Sequence, residues 1–427
     1  MKFRAKEYVN CVARMISQVA WNHRLPSAGI ACLGLALVGF GGLTPAQPQE
    51  RVKYDDQNTR YTIQDLGVVG ANFFQPGQPF VISNSGRVSG GAGVGAAEHA
   101  VLWRGGEMTD IGNPGLGGNS IAFGVNVWGH AVGEAEDTAG DLSTTEDFCG
   151  FEFMAYTSSP TPCVPFIWKE GKMVPLKTLG GANGVANQIN NFGVIAGYAE
   201  NTTKDPGCPS PQIYQFKPVV WFRDWIQPLP TEGTDPEGVA FSINDRGQVV
   251  GASGTCAAFN PNFLFNFQPV HALLWQNGIA TDLGNLLGAS SNFAHDINNR
   301  GEVVGGSGSL AFLWTPEKMI QSLGVVDTDI YSVALGINDK GQVVGASLEA
   351  DGVTLRAFVR QVEDLVDLNT RIAGSNPFPE VGLVDGGLVP TGLVTACSIN
   401  SRGEIIGIAV DPTGTTHAYL AIPTPAT

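Results

Sequence analysis

Apolar and polar positions along this chain fall into short runs that return in a fixed order, not into the 3.6-residue rhythm of helices. One run reads Ile-Asn-Asp-x-Gly-Gln-Val-Val-Gly at 243–251 and 337–345. Close variants stand at 125–133, 189–197, 297–305 and 399–407, and a worn copy at 82–90 has Ser83 in the Asn place. A second run, His-Ala-x-Leu-Trp in its clearest form, follows at 99–103, 165–168, 217–221, 271–275 and 310–314, with worn versions at 356–360 and 417–421. A third, ending in Asp-Leu-Gly or a near variant, closes the unit at 108–112, 280–284, 321–324 and 365–368. Four residues before the Asn sits an alanine in six copies: Ala122, Ala186, Ala240, Ala294, Ala334 and Ala396. Each unit therefore predicts four short strands. Runs rich in Val, Ile and aromatics and bounded by Gly and Asn are strand signals. The Asn-Asp-x-Gly link suits a tight hairpin, because Asn bonds its own backbone and Gly accepts positive φ.

The turn glycines (Gly86, Gly129, Gly193, Gly247, Gly301, Gly341 and Gly403) are spaced 43, 64, 54, 54, 40 and 62 residues apart. The shortest intervals match the roughly 40–45 residues of a four-stranded propeller blade, and the longer ones carry insertions. The ends decide between architectures. The run at 61–67, Tyr-Thr-Ile-Gln-Asp-Leu-Gly, is a fourth-strand phrase with no unit before it, and the run at 417–421 is a third-strand phrase with no fourth strand after it. In a closed ring the first strand completes the last blade and leaves no open sheet edge. An open β-solenoid gives no reason for matching half-units and usually needs distinct caps. The expectation is an all-β, seven-bladed β-propeller of four-stranded blades, closed by the N-terminal strand joining the last blade. It forms a single domain over 61–421, with a linker at 47–60 and a tail at 422–427.

This pattern resembles the HAF family of extracellular repeat proteins, named for a His-Ala-Phe phrase. The resemblance covers nearly all of the chain beyond residue 46. It rests on the Ile-Asn-x-x-Gly-x-Val-Val-Gly, His-Ala-x-Leu-Trp and Asp-Leu-Gly phrases together. Copies one, two and seven depart most. The resemblance implies secretion and a repeat architecture, and carries over no catalytic residue.

The first 26 residues hold Lys2, Arg4, Lys6, Arg14 and Arg24 against one acid, Glu7, and an apolar stretch follows at 28–43. This is the layout of a secretory signal over 1–46. An uncleaved anchor is the alternative, although the stretch is shorter than the roughly 20 residues of a spanning helix. Export places the protein outside the cell, in the periplasm or on the cell surface, with no stable membrane insertion after cleavage. The remaining chain has 19 basic and 38 acidic residues. That balance repels nucleic acid and anionic lipid. Cys149, Cys163, Cys208 and Cys256 fall in insertions, where an exported protein uses disulfides. The expected pairs are Cys149–Cys163 and Cys208–Cys256, out of three connectivities that four cysteines allow. Cys397 lies in an inner strand and is expected as a buried thiol.

Insertions lengthen the second-to-third strand links at 134–163, 198–216 and 252–269, and one blade-to-blade link at 369–392. Both kinds of link leave a four-stranded blade on the same rim, so one face of the ring is expected to carry every long loop and to bind the ligand. Insertions also occur simply because lengthening a loop costs little. Tyr198, Tyr214, Phe216, Trp225, Phe263 and Phe265 are the candidate binding aromatics, suited to sugar stacking or a protein partner, the alternative being that they pack against each other over the ring. Glu134, Glu136, Asp137 and Asp141 belong to a run of acids that is either a solvated loop or an oxygen-rich Ca2+ site without EF-hand spacing. Ca2+ is the one candidate cofactor. The repeated Trp residues are read as inter-blade packing, Asp65, Asp110, Asp282 and Asp367 as turn caps, and His99, His271 and His417 as structural.

Hydrolase, metalloprotease, phosphate-loop and Cys-x-x-Cys motifs are all missing from the sequence. The expectation is an exported, non-enzymatic binding or surface protein whose partner is an extracellular polysaccharide or protein. A glycan hydrolase or lyase with its site at the channel mouth is the alternative, for which Ser242, His295 and Asp296 are the candidates. A converging His–carboxylate or carboxylate pair at the mouth would favour it.

Overall fold

The computed structural model describes residues 59–68, 81–94, 97–112, 118–137, 162–208, 212–256, 267–384 and 389–424. The chain forms a seven-bladed β-propeller. Six blades are four-stranded antiparallel sheets, and blade one has three strands plus a bridge from Ile82 to Val88 that stands for its first. The blades occupy 82–110, 120–175, 184–228, 237–282, 292–324, 331–367 and 392–423, the last completed by the strand Tyr61–Val68. That strand pairs antiparallel with Thr416–Pro423, so Thr62 faces Ile422 and Gln64 faces Leu420. The predicted closure is therefore present. The last strand runs on to Pro423, two residues into the segment read as a tail.

The chemistry of the closure is specific. Tyr61 is 1% exposed and packs with Tyr419 and Leu368 between blades six and seven. The Tyr61 carbonyl accepts from the Ala373 amide at 2.7 Å, and the Arg60 carbonyl from the Thr424 amide at 2.8 Å. The Trp103 indole N–H donates to the Leu66 carbonyl at 2.9 Å, tying blade one to the same strand. Trp221 and Trp275 repeat this bond toward Lys177 and Pro230, each in the link after the preceding blade's outer strand, at 2.7 Å. These three tryptophans thus join neighbouring blades through both packing and a polar tip.

The repeated phrase has a physical reason at each position. The turn glycines take φ between 74° and 87°. The glycine that ends the phrase answers a β-bulge. In six blades the first strand skips a residue against its neighbour before the Ile-Asn, at Phe123, Asn187, Phe241, His295, Leu335 and Cys397, and blade seven skips Val394 as well. The bulge pushes a first-strand carbonyl toward the second strand. A Cβ on Gly133, Gly197, Gly251, Gly305, Gly345 or Gly407 would lie 1.9–2.0 Å from that oxygen. The six alanines are fully buried against the adjoining blade, where a longer side chain has no room.

The Asn is the junction between blades. Its Oδ1 accepts two backbone amides of its own turn, as at Asn190, which takes Phe192 N at 3.0 Å and Val194 N at 2.9 Å. Its Nδ2 donates to the next blade's equivalent carbonyl: Asn126 to Asn190 (3.2 Å), Asn190 to Asn244 (3.1 Å), Asn244 to Asn298 (2.9 Å), Asn298 to Asn338 (3.0 Å), Asn338 to Asn400 (2.8 Å) and Asn400 to Ser83 (3.3 Å). Where Ser83 breaks the series, Ser85 and Arg87 bond the Val127 carbonyl at 3.0 and 2.6 Å. A one-directional circle of hydrogen bonds therefore runs around the channel. Only an amide both accepts within its turn and donates beyond it, which Asp cannot do when ionised.

Candidate functional site

Three places on this scaffold hold chemistry. The first is the channel mouth at the Asn turns, a funnel of about 130 Å³ lined by Asn126, Asn190, Asn244, Asn298 and Asn338 and by Ser242 and Asp296. Asp296 accepts from the Ser242 hydroxyl at 2.7 Å and from the Ile297 and Ile337 amides at 2.8 and 2.9 Å. Burial pushes its carboxyl up to about 6, against those bonds. His295, the bulge residue, stacks on Phe241 with ring centres 5.6 Å apart, and its Nδ1 meets the Leu335 carbonyl at 2.9 Å. Burial pulls the imidazole down to about 4, so the ring is neutral at pH 7. The three residues do not form a relay: Ser242 bonds Asp296 directly, and the Nδ1 of His295 faces a carbonyl of blade six.

The second place is the rim with the insertions. Tyr198 and Phe216, expected as exposed stacking residues, are buried at 3% and 0% and pack edge to face at 5.4 Å. The cause is strand extension: the second and third strands of blade three run through Val194–Lys204 and Tyr214–Phe222, so these aromatics are strand residues and not loop residues. Tyr214 is half-buried in the same hairpin. Trp225 is 40% exposed, but on the outer strand Trp225–Pro228 beside the third-to-fourth turn, which belongs to the opposite rim. Phe263, Phe265, Asp141 and Cys149 lie outside the described residues. Glu134 and Glu136 are likewise not in a solvated loop; they are second-strand residues, 1% and 5% exposed. The Asn119 amide donates to Glu136 Oε2 at 2.8 Å, whereas Glu98 Oε1 and Glu134 Oε2 are buried with no partner. Burial pushes Glu98 and Glu134 up to about 8 and Glu237 to about 9.

Among the described residues, metal-type donors converge at Asp205, Cys208, Glu237 and Cys256, within 4.8 Å of one another. Two of the four sulfur and oxygen donors are consumed there, because Cys208 and Cys256 form a disulfide that staples the rims of blades three and four. Cys163 is also disulfide-bonded, and Cys397 is a buried free thiol. The histidines are pinned individually: His99 to Asp110 at 3.0 Å, His271 to Asp235 at 2.8 Å and His417 to Asp65 at 3.1 Å, with Arg356 on Asp329 at 2.5 Å in blade six. Asp65, Asp110 and Asp282 each accept the amide two residues on, as turn caps do.

The third place was not singled out from the sequence. On the rim opposite the insertions, a groove of about 880 Å³ opens between blades two and three. Trp128 and Phe192 stand at its edge, 67% and 49% exposed. Both occupy the x position of the Asn-x-x-Gly turn. The other copies place Ser85, Arg246, Arg300, Lys340 and Arg402 there, all exposed. The indole N–H of Trp128 donates across the blade boundary to the Asn191 carbonyl at 3.0 Å, which fixes the ring. Lys169, Lys177 and Arg223 line the groove and are exposed, with Asp224 as its acid. Arg223 lies over the Phe222 ring at 5.2 Å. The signal that could have revealed the groove is two consecutive copies exchanging a hydrophilic turn residue for an aromatic one.

No family model matches the chain, and none of the curated proteins matches it. Among solved structures, the crystal structure of Porphyromonas gingivalis dipeptidyl peptidase 4 is similar with TM-score 0.38 and 8% identity, over 81% of this chain and 52% of that one. The chain thus spans about half the length of that structure.

Proposed function

We propose that this protein is an exported, non-enzymatic propeller of the HAF type that binds an extracellular glycan or protein, and that it does so through the groove between blades two and three. The observation that carries this reading is the pair Trp128 and Phe192. Two large aromatic side chains stand exposed on the lining of one groove, one is held by a hydrogen bond, and both replace the hydrophilic residues found at that position in the other blades. A rigid exposed ring over a cleft loses little conformational entropy on binding and offers a flat apolar face for stacking. Exposed aromatics rimmed by polar side chains mark interaction sites.

The reading of a hydrolase or lyase at the channel mouth is supported less. Ser242 and Asp296 meet there, but Asp296 already accepts three hydrogen bonds and His295 is directed elsewhere. The test is a glycan array and an extracellular-protein pull-down with the exported chain, repeated with the double variant Trp128→Ala/Phe192→Ala. Binding that is lost in the double variant at unchanged melting temperature is the expected result. A ligand retained by the double variant, or oligosaccharide products that disappear on Asp296→Asn, would overturn the reading.

A further inference from the structure

Resting on that binding reading, we infer that the groove takes an acidic oligosaccharide, a chain of pyranose rings with a carboxylate on some of them. Trp128 and Phe192 supply platforms for the C–H faces of the rings. Lys169, Lys177 and Arg223 supply the cations for the carboxylate.

Charge is the first argument. The chain carries a formal charge of −15, so most of its surface opposes an anion. The groove reverses that sign locally, with Lys169, Lys177 and Arg223 against Asp224. Among the described residues, none of these three cations forms an ion pair, although Arg300, Arg356, Arg360 and Arg402 elsewhere do. Unpaired cations beside exposed aromatic rings are a combination suited to an anionic, ring-bearing ligand. Arg223 lies over the Phe222 ring at 5.2 Å, and a guanidinium is suited to bidentate contact with a carboxylate.

The same net charge selects among anionic ligands. A nucleic acid carries a phosphate at every residue, and each one beyond the groove meets an acidic surface. A glycan with a carboxylate on only some of its rings carries fewer charges, and its neutral rings meet the acidic surface without repulsion. The groove volume, about 880 Å³, lies within the roughly 300–1,000 Å³ of ligand clefts, enough for a short run of sugars.

The test uses a panel of uronic-acid oligosaccharides, each paired with its carboxyl-reduced neutral form, titrated calorimetrically into the exported chain at low and high salt. The inference expects the acidic form to bind at least tenfold tighter at low salt and the difference to shrink at high salt. Lys169→Gln/Lys177→Gln should abolish the preference and keep the neutral binding, whereas Trp128→Ala should weaken both forms by tenfold or more. Equal affinity for acidic and neutral forms overturns the acidic-ligand inference and leaves glycan binding standing. No binding of any panel member, with none on the glycan array, overturns the inference and removes the glycan limb of the binding reading. A short single-stranded oligonucleotide or an acidic peptide that displaces every uronide would also overturn it. Unchanged melting temperatures confirm that the variants are folded.

Discussion

Among the described residues of the rim that carries the insertions, five side chains beyond the repeat turn inward. Tyr198 and Phe216 pack on each other, and Glu98, Glu134 and Glu237 are buried as carboxyls with raised pKa values. On the opposite rim, Trp128 and Phe192 depart from the repeat and stand in solvent over an unpaired cationic groove. Among the described residues, the long links and the exposed pair Trp128 and Phe192 therefore lie on different faces. The long links of blades three and four are used to staple neighbours together, as the Cys208–Cys256 disulfide does. The short turns are held by the Asn circle, and a residue at their tips varies without disturbing it. A rigid turn is the better place for a binding side chain, because its geometry is already set.

The largest effect expected is on the ring itself, on which both faces depend. Deleting 61–68 removes a whole outer strand and exposes the paired edge of Thr416–Pro423. The deletion should abolish soluble, cooperatively unfolding protein. Circular dichroism with a normal melting transition would contradict the closure's role.

The buried acids of the insertion rim give the next effect, and its sign follows from linkage. Glu134 in the folded chain keeps its proton up to about pH 8, whereas its ordinary value is 4.5. Between those values the unfolded chain has released the proton and the folded chain has not. Stability is therefore full below the lower value and declines as pH rises, by up to about 1.4 kcal/mol per pH unit for each such carboxyl. Calorimetry should show a higher melting temperature at pH 5 than at pH 8, and Glu134→Gln should flatten the slope. A wild-type curve that rises with pH would refute the assignment.

A smaller loss is expected where the turn rim is held. Asn298→Ala removes a donor to the Asn338 carbonyl and an acceptor for the Arg300 and Glu302 amides. Leaving these buried groups without partners should cost about 2–3 kcal/mol. Asn298→Asp should cost nearly as much, since the carboxylate keeps the turn bonds and loses the inter-blade donor. Chemical denaturation would read both, and a silent Asn298→Asp would show that the circle contributes little. By contrast, Trp128→Ala should change stability by under about 0.5 kcal/mol, as a surface substitution.

The ring was legible because each blade repeats the same run of phrases and because a stray fourth strand at 61–67 matches a missing one after 421. The turn chemistry of Asn and Gly was legible for the same reason. The inter-blade half of the Asn was not, since its partner is a carbonyl 40 to 64 residues away, or 317 for Ser83, that only ring closure brings near. The misplaced site residues share one cause. The sequence places a loop directly after the phrase-ending glycine in blades two and three, but strands extend past Gly133 to Glu136 and past Gly197 to Lys204. Both faces of those added residues are covered, so Glu134, Glu136, Tyr198 and Glu200 are buried along with Ala135 and Ala199 between them. Trp128 and Phe192 were in plain view as departures at a repeated position, yet their exposure depends on which side of the turn faces the neighbouring blade.

Hydroxyl-radical footprinting of residues 47–427 with and without a captured ligand tests the central claim most directly. The account predicts protection of Trp128 and Phe192 on ligand binding, with the insertion segments 138–161 and 257–266 unchanged. Protection confined to those segments, with Trp128 and Phe192 reacting as in the free protein, would contradict it.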